Sequence, residues 1–456
     1  MKTFLENKIV RFLLSGGIAA LVFSICPPCL SKVVLGGVLL TLLILINGAA
    51  FFARFSWLTH GARILVGCLF IFSGFIKSND PSGFSYKLEE YFEVFAADLS
   101  NFHFLVSFFD LLKSASLFLA IFICTFEVAL GFMLLVGVRI RLTLWLLLLM
   151  NVFFTFLTFY SACFNKVTHC GCFGDAIQLT PWQSFGKDLV LDILITVLWI
   201  GEGHIRSLLG TFFGNLATVL IIAGSIAFPV YAWYYLPPID FRPYAPGKNL
   251  CEEMKQGPHY KAAKYESLLI YRNKQTKQTQ EFTQKNYPWQ DTLHWEWADT
   301  KTKLLEAGVD EPKITDFKIT DPDSGDNMTD SVLGNKDYYF LLVAMELGEK
   351  KKDKYEPRKA YLKVQGRIND FVALCDKDKK KFYGLTSAAL PEIGDFRHEV
   401  QAMYPYLNAD QTVLKTMIRS NPGLMLMKGC EVIANWPYHA LPSYNDVKEK
   451  YFKSGK

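Results

Sequence analysis

Apolar runs fill the first half of the chain, and no other feature of the sequence constrains the fold as strongly. A helix that crosses a bilayer needs about 20 mainly apolar residues, and several runs here approach that length. Residues 1–240 contain 27 Asp, Glu, Lys and Arg residues, whereas residues 241–456 contain 64. The first part therefore suits a membrane and the second part suits water. This layout excludes a wholly cytosolic enzyme.

The charge distribution argues against nucleic acid as a partner. The net charge is +5, and it is spread over both parts of the chain rather than gathered into one basic tract. We therefore expect the chain to contact the lipid bilayer and other proteins, and no nucleic acid.

Seven segments are predicted to cross the membrane. They are residues 9–26, 33–52, 61–76, 114–138, 142–162, 185–200 and 213–235. Lys and Arg residues are concentrated in the very short loops on one side of this seven-helix bundle. That bias predicts a bacterial inner-membrane protein with a cytoplasmic N-terminus and a periplasmic C-terminal domain. The first segment is predicted to stay attached, because no small-x-small cleavage site precedes Cys26.

We expect five regions along the chain. These are a transmembrane hairpin (1–60), a four-helix membrane unit (61–202), a last transmembrane helix (203–236), a Pro-rich linker (237–250) and an external domain (251–456, core about 336–445). Between the third and fourth spans, acids and aromatic residues at helical spacing in residues 86–95 predict an interfacial helix that caps the bundle.

The external domain alternates strands and helices. Strands are predicted at 338–345 and 381–385, helices at 360–375 and 393–403, and a closing hairpin at 424–428 and 431–436. A smaller hairpin is predicted at 265–271 and 281–283, and a loop at 310–335.

The order of these elements resembles the thioredoxin fold. Asn421, Pro422 and Gly423 stand directly before the closing hairpin, where thioredoxins have a cis-proline. The resemblance implies an α/β thioredoxin-like domain that binds a partner beside Pro422. Thioredoxins also have Cys-x-x-Cys after their first strand, but residues 346–353 (ELGEKKKD) occupy that place here. We therefore expect the domain to lack a dithiol of its own.

The topology sorts the ten cysteines. Cys68 and Cys124 fall in the middle of predicted spans, where a small apolar role is expected. The other eight fall on the external side or at its boundary: Cys26, Cys29, Cys163, Cys170, Cys172, Cys251, Cys375 and Cys430. An even number suits an oxidising compartment in which disulfides form.

A glycine-flanked turn at the outer end of the fifth span is the sharpest chemical signal. A disulfide between Cys170 and Cys172 across Gly171 would close a small, strained ring that is easily reduced. His169 and the cationic Lys166 would lower a thiol pKa and raise the thiolate fraction. These features predict that Cys170 and Cys172 are redox-active.

Other interpretations of the cysteines stay open. Cys26-Pro-Pro-Cys29 has the spacing of a second redox pair, but it would also simply end a helix. A disulfide in the outer loop could instead be purely structural and hold the loop at the membrane surface. Four of its side chains are also of the types that bind zinc, although their close spacing suits a tetrahedral site poorly, and no metal is predicted: Cys163, His169, Cys170 and Cys172.

Glu127 lies near the middle of the fourth span. A charge buried in lipid is costly, so it is a candidate functional group. Arg63 and Asp192 are its predicted partners, in a structural ion pair or in a site where Glu127 hydrogen-bonds a quinone or transfers protons from thiol oxidation.

Five short motifs resemble the DoxX-like membrane proteins, and among them the MauE branch. They are residues 63–67 (RILVG), 70–77 (FIFSGFIK, ending at Lys77), 80–83 (DPSG), 126–131 (FEVALG) and 170–174 (CGCFG). MauE-type proteins are implicated in maturing methylamine dehydrogenase, a disulfide-rich periplasmic enzyme. The wider family is similar to quinone-linked disulfide generators of the DsbB and vitamin K epoxide reductase type. The extra N-terminal helices and the fused domain depart from that pattern. The identity of the client protein is therefore not determined by the resemblance.

Three functions are compatible with this sequence. The first is a membrane thiol-disulfide oxidoreductase that acts on envelope client proteins and passes electrons to a quinone. The second is a membrane-anchored assembly protein without catalytic activity, which binds a partner through the thioredoxin-like domain. The third, a small-molecule or ion carrier, ranks last, because few polar residues besides Glu127 and Asn151 are evident in the spans.

Overall fold

The computed structural model describes most of the chain beyond the first 55 residues. The described residues are 56–100, 102–164, 166–167, 174–177, 179–262, 264–274, 279–283, 286, 288, 291, 293–306, 310, 312–351 and 354–453. The chain divides into two compact units, Met1–Val230 and Tyr231–Lys456.

The first unit is helical. Its helices are α1 (Ser56–Asn79), α2 (Pro81–Asp98), α3 (His103–Ser114), α4 (Ser116–Val136), α5 (Ile140–Phe164), α6 (Pro181–Ile200) and most of α7 (Thr211–Tyr235), whose last five residues belong to the second unit. Within the described residues, α1, α4, α5 and residues Phe212–Tyr235 of α7 are long and apolar enough to span a membrane. The chain is therefore a membrane protein. The predicted spans 9–26 and 33–52 lie outside the described residues, and α6, which contains the predicted span 185–200, is not one of these four helices. The count of seven therefore stays a prediction.

Glycines bring α1 and α4 into close antiparallel contact. A Cβ atom added to Gly131 would lie 2.9 Å from the carbonyl oxygen of Gly67, and one added to Gly74 would lie 2.9 Å from Glu127 Cβ. Small residues at such positions allow two helix backbones to approach closely in a membrane. This packing sets the register that places Glu127 beside the last turns of α1.

Replacing Gly131 by alanine is expected to destabilise the membrane unit by about 1–3 kcal/mol, because the new methyl group would overlap backbone atoms of α1. Thermal unfolding of the purified protein in mild detergent measures the effect. Gly186→Ala on α6 is the matched control, since a Cβ there would meet nothing within 4 Å. Equal unfolding temperatures for the two variants would contradict the close α1–α4 contact.

The connection between α1 and α4 is more helical than predicted. Asp80 caps α2 by accepting a hydrogen bond from the backbone N–H of Gly83, and α2 extends the predicted helix 86–95 in both directions. Its buried face contains Phe84, Leu88, Tyr91 and Phe92. The additional helix α3 was not predicted, and the interfacial position of α2 stays a prediction.

The second unit begins with a short helix and a small sheet. Helix α8 (Leu250–Glu253) precedes three strands, β1 (Lys264–Asn273), β2 (Thr279–Thr283) and β3 (Trp295–Glu306). The strands form an antiparallel sheet in the order β2-β1-β3. The β1–β2 hairpin was predicted, whereas β3 was not.

A five-stranded mixed sheet forms the core of the second unit. Its strands are β4 (Tyr338–Val343), β7 (Lys381–Thr386), β8 (Tyr406–Asn408), β9 (Gly423–Lys428) and β10 (Glu431–Pro437), in the order β10-β9-β4-β7-β8. Strand β4 is parallel to β7 and antiparallel to β9. A separate hairpin joins β5 (Gly348–Lys351) and β6 (Lys354–Pro357).

Helices pack against both faces of this sheet. They are α9 (Thr329–Leu333), α10 (Lys359–Lys377), α11 (Leu390–Val400), α12 (Gln411–Met417) and α13 (Tyr444–Val447). Because side chains alternate along β4, Phe340 and Leu342 belong to one apolar cluster, while Tyr339 and Leu341 belong to the other. The coarse α/β prediction is therefore confirmed.

Candidate functional site

A buried ion pair joins α1 to α4 in the membrane unit. Lys77 Nζ lies 2.7 Å from Glu127 Oε1 and 2.8 Å from Oε2. Ser73, one turn before Lys77, donates a hydrogen bond of 3.1 Å to Glu127 Oε1 and accepts one of 3.1 Å from Lys77. Lys77 is 2% exposed and Glu127 is 3% exposed. Such a pair is expensive to bury, which makes it a functional candidate.

A second polar cluster joins α5 to α6. Asn151 donates hydrogen bonds to Asp192 Oδ1 at 2.7 Å and to the carbonyl oxygen of Asp188 at 2.8 Å. Thr155 donates to Asp192 Oδ2 at 2.7 Å, and Thr158 donates to Asp188 Oδ2 at 3.0 Å. Lys187 Nζ lies 2.5 Å from Asp188 Oδ1. These bonds turn the charged groups of α6 toward α5.

The two clusters share one small cavity, which we call the acid–base cavity. Its polar lining consists of Ser73, Lys77, Glu127, Asn151, Lys187 and Asp188. Its volume of about 20 Å³ has room for about one water molecule. The pairs Lys77–Glu127 and Lys187–Asp188 both border this space. A water molecule bound there would be able to transfer protons between them. The cavity is too small for a quinone ring, so the residues around Glu127 do not fit that group.

The predicted partners of Glu127 were wrong. Arg63 lies about 20 Å farther back along α1, where antiparallel packing sets it against the C-terminal end of α4. There its Nε and Nη2 atoms donate hydrogen bonds of 2.9 and 2.5 Å to the carbonyl oxygens of Leu134 and Leu135. Arg63 thus satisfies carbonyl groups that the end of a helix leaves without partners. Asp192 binds Asn151 and Thr155 on α5.

The predicted redox residues Cys170 and Cys172 lie outside the described residues. So do the neighbouring His169 and Gly171, and the pair Cys26 and Cys29. Their proposed roles therefore stay predictions.

The described residues on either side of the Cys170–Cys172 segment lie against other residues of the membrane unit. On the N-terminal side, Cys163 is half-buried in the last turn of α5, and Val167 is fully buried and accepts a hydrogen bond from Ser161. On the C-terminal side, a Cβ atom added to Gly174 would lie 3.7 Å from Ile76 Cγ2. Gly174 thus lies next to the residue that precedes Lys77, which places this end of the turn at the same end of the bundle as the acid–base cavity.

Lys166 has a carboxylate partner. It forms an ion pair with Asp98 at the end of α2, and Asp98 also accepts a hydrogen bond from Tyr160 of α5. The predicted effect of Lys166 on a thiol pKa stays a prediction, because Cys170 and Cys172 lie outside the described residues.

The predicted partner-binding residues of the second unit are mostly covered. The Asn421–Pro422 peptide bond is cis. Tyr361 donates a hydrogen bond of 2.9 Å to Asn421 Oδ1, and Asn421 Nδ2 donates one of 3.3 Å to the carbonyl oxygen of Glu346. Pro422 and Gly423 are buried, whereas Asn421 is half-buried. Of the three predicted residues, only Asn421 offers an accessible side chain.

The segment after β4, where the resemblance to thioredoxins would place a dithiol, carries charged residues instead. Glu346 follows β4 and forms an ion pair with Arg358, next to the hairpin of β5 and β6. Gln411 donates a further hydrogen bond of 3.2 Å to Glu346. These contacts hold the segment in place without a thiol.

Three cysteines of the second unit are described. Cys251 in α8 and Cys430 in the turn between β9 and β10 form a disulfide, with a Cα–Cα distance of 5.6 Å. Cys375 in α10 is a buried thiol, and burial raises its pKa, so it is a poor nucleophile.

The sequence interpretation missed several polar residues of the membrane interior. Ser73, Thr155, Thr158 and Lys187 all take part in the two clusters. Their helical spacing was an available signal, because Ser73 and Lys77 lie four residues apart, as do Asn151 and Thr155.

No group of three or more His, Cys, Asp or Glu side chains that could hold a metal ion occurs among the residues that the structure describes. The zinc interpretation stays open, since three of its four ligands lie outside those residues.

Comparison with known proteins identifies the membrane unit. Residues 54–201 match the family model described as methylamine utilisation protein MauE. This match confirms the resemblance to MauE over α1 to α6. Residues 265–307 match a family described as a domain of unknown function, DUF8463. No curated protein and no solved structure matches the chain.

Proposed function

We propose that this chain, whose residues 54–201 match the MauE family, is a membrane thiol-disulfide oxidoreductase of the bacterial inner membrane. The Cys170–Cys172 disulfide would accept two electrons from a pair of thiols on an envelope client protein. A mixed disulfide with the client would be the intermediate, and the products would be a client disulfide and two thiols at Cys170 and Cys172.

Restoring the Cys170–Cys172 disulfide removes two electrons and two protons. A quinone is the proposed electron acceptor, but no step at Glu127 is assigned to it because the cavity there does not fit its ring. The proposed role of the Glu127 carboxylate, held beside the Lys77 ammonium group, is to accept the thiol protons and pass them on through the acid–base cavity. The observation that supports this proposal best is the position of that cavity, at the end of the bundle where Gly174 approaches Ile76.

The disulfide of the second unit supports a periplasmic location for that unit. Disulfides persist in oxidising compartments and are rare in the cytosol, so Cys251–Cys430 favours the outside. Along the chain, two helices, α6 and α7, lie between the Cys170–Cys172 turn and the second unit. If both cross the bilayer, the turn and the second unit face the same compartment.

A thioredoxin-like fold for the external domain is part of the proposal. The order β7-β4-β9-β10, with β4 parallel to β7 and antiparallel to β9, and the cis Asn421–Pro422 bond favour it. Without a dithiol after β4, such a domain would bind a client and present it to the membrane cysteines.

A non-catalytic anchoring protein is the second candidate. The ion pair between Glu346 and Arg358 at the place of the missing dithiol favours it. In this case the membrane unit would only hold the external domain at the membrane, and the cysteines of the turn would be structural.

Labelling of cysteines in intact cells, combined with an assay of quinone reduction, separates the two candidates. A membrane-impermeant thiol reagent is applied before and after reduction, and the modified cysteines are mapped. We expect Cys170 and Cys172 to react only after reduction, and the purified protein to reduce a soluble quinone in the presence of a dithiol. A protein that reduces no quinone would leave only the anchoring role, whether the two cysteines are free thiols or form a structural disulfide.

A further inference from the structure

The second unit contains a cavity that the proposed function does not use. It lies between α10, the β4 side of the five-stranded sheet and the segment 441–444, and its volume is about 200 Å³. Its walls are mainly apolar: Leu342, Ile368, Phe371, Phe382, Leu424 and Leu441. The cavity is partly open to solvent, so a small ligand can reach its apolar walls.

The dimensions and the walls of this cavity match an aromatic ring. A cavity of about 150 Å³ lined by Leu, Ile and Phe is large enough to bind benzene. The Phe371 ring meets the Tyr444 ring edge to face at 5.3 Å and lies 6.3 Å from the Phe382 ring. Rings arranged in this way offer faces and edges to another ring.

The mouth of the cavity is polar, unlike its interior. Arg367, Asp370 and Ser443 line it and are exposed, whereas Leu342 and Leu424 are buried. Arg367 Nη2 donates a hydrogen bond of 2.6 Å to the carbonyl oxygen of Leu441, which fixes the guanidinium group at the rim. A guanidinium group has five N–H donors, so others stay available to a ligand.

We propose that this cavity binds a small molecule with a single aromatic ring, whose polar substituent accepts a hydrogen bond from Arg367 at the mouth. The ring would fill the space beside Phe371 and Leu424. The binding site is separate from the proposed redox chemistry and does not depend on it.

Fluorine NMR of the full-length protein in detergent tests the proposal, with phenol as the probe. One sample has 4-fluorophenylalanine at Phe371, which lines the cavity, and a control sample has it at Phe396, which is buried in the same apolar cluster but does not line the cavity. We expect a saturable shift at position 371 with a midpoint on the order of 1 mM, and no such shift at position 396.

Two substitutions locate the binding. Leu424→Phe, or Leu441→Phe if the first variant unfolds, should fill the cavity and remove the saturable shift. Arg367→Gln should weaken binding by about tenfold, because a hydrogen bond from a charged donor is lost. Three results would overturn the proposal: no saturable shift at position 371 in the labelled protein without other substitutions, equal shifts at both labels, or binding that persists in a folded, filled variant.

Discussion

Replacing Lys77 by methionine is expected to destabilise the membrane unit by about 3–5 kcal/mol, because Glu127 would stay buried without its partner. Both side chains are almost fully buried, and Lys77 contacts both carboxylate oxygens. Denaturant or thermal unfolding in mild detergent measures the loss. The matched control is Lys87→Met in α2, where Lys87 and Glu90 form a pair that is about one-third exposed. That substitution is expected to cost about 0–1 kcal/mol.

The double variant Lys77→Met/Glu127→Met separates a structural role from a proton-transfer role. Removing both charges leaves no uncompensated ion, so most of the stability should return. If the pair transfers protons from the thiols, dithiol-dependent quinone reduction should stay low although the protein is folded. Activity that returns together with stability would mean that the pair only holds α1 against α4, and the proton route would be abandoned.

The sequence showed that Glu127 needed a partner, but it could not show which one. Pairing across two helices depends on their register, and here the register follows from the contact of Gly67 and Gly74 with α4. Arg63 and Lys77 are both on α1, and only the packed structure tells which of them meets Glu127.

In the second unit, local pattern predicted several regular elements, but it missed the strands β3, β5, β6 and β8 and the helix α9. The helix predicted at 360–375 is α10 (Lys359–Lys377), and the hairpin predicted at 424–428 and 431–436 is β9 and β10. Strand β8 has only three residues and was missed, because so short a run has no clear periodicity. The pairing of Cys251 with Cys430 could not be predicted from the sequence, since spacing alone does not determine which of several cysteines pair.

Removing the disulfide by Cys251→Ser/Cys430→Ser is expected to destabilise the second unit by about 2–5 kcal/mol. The two cysteines are 179 residues apart, so the bond closes a long loop and restricts the unfolded chain strongly. Unfolding of the second unit, followed by tryptophan fluorescence, measures the change. A reductant supplies the control: it should lower the stability of the unmodified protein to that of the variant and leave the variant unchanged.

The same two cysteines test which side of the membrane the second unit faces. The proposed reaction with an envelope client protein requires the periplasmic side. Alkylation of thiols in intact cells, without reduction, should leave Cys251 and Cys430 unmodified if the second unit is folded in an oxidising compartment. Modification of both would mean that this unit faces the cytosol. Because α6 and α7 lie between it and the Cys170–Cys172 turn, the turn would then face the cytosol as well, provided that both helices cross the bilayer. A strained disulfide there would be kept reduced, and the exchange with an envelope client would have no oxidant at its start.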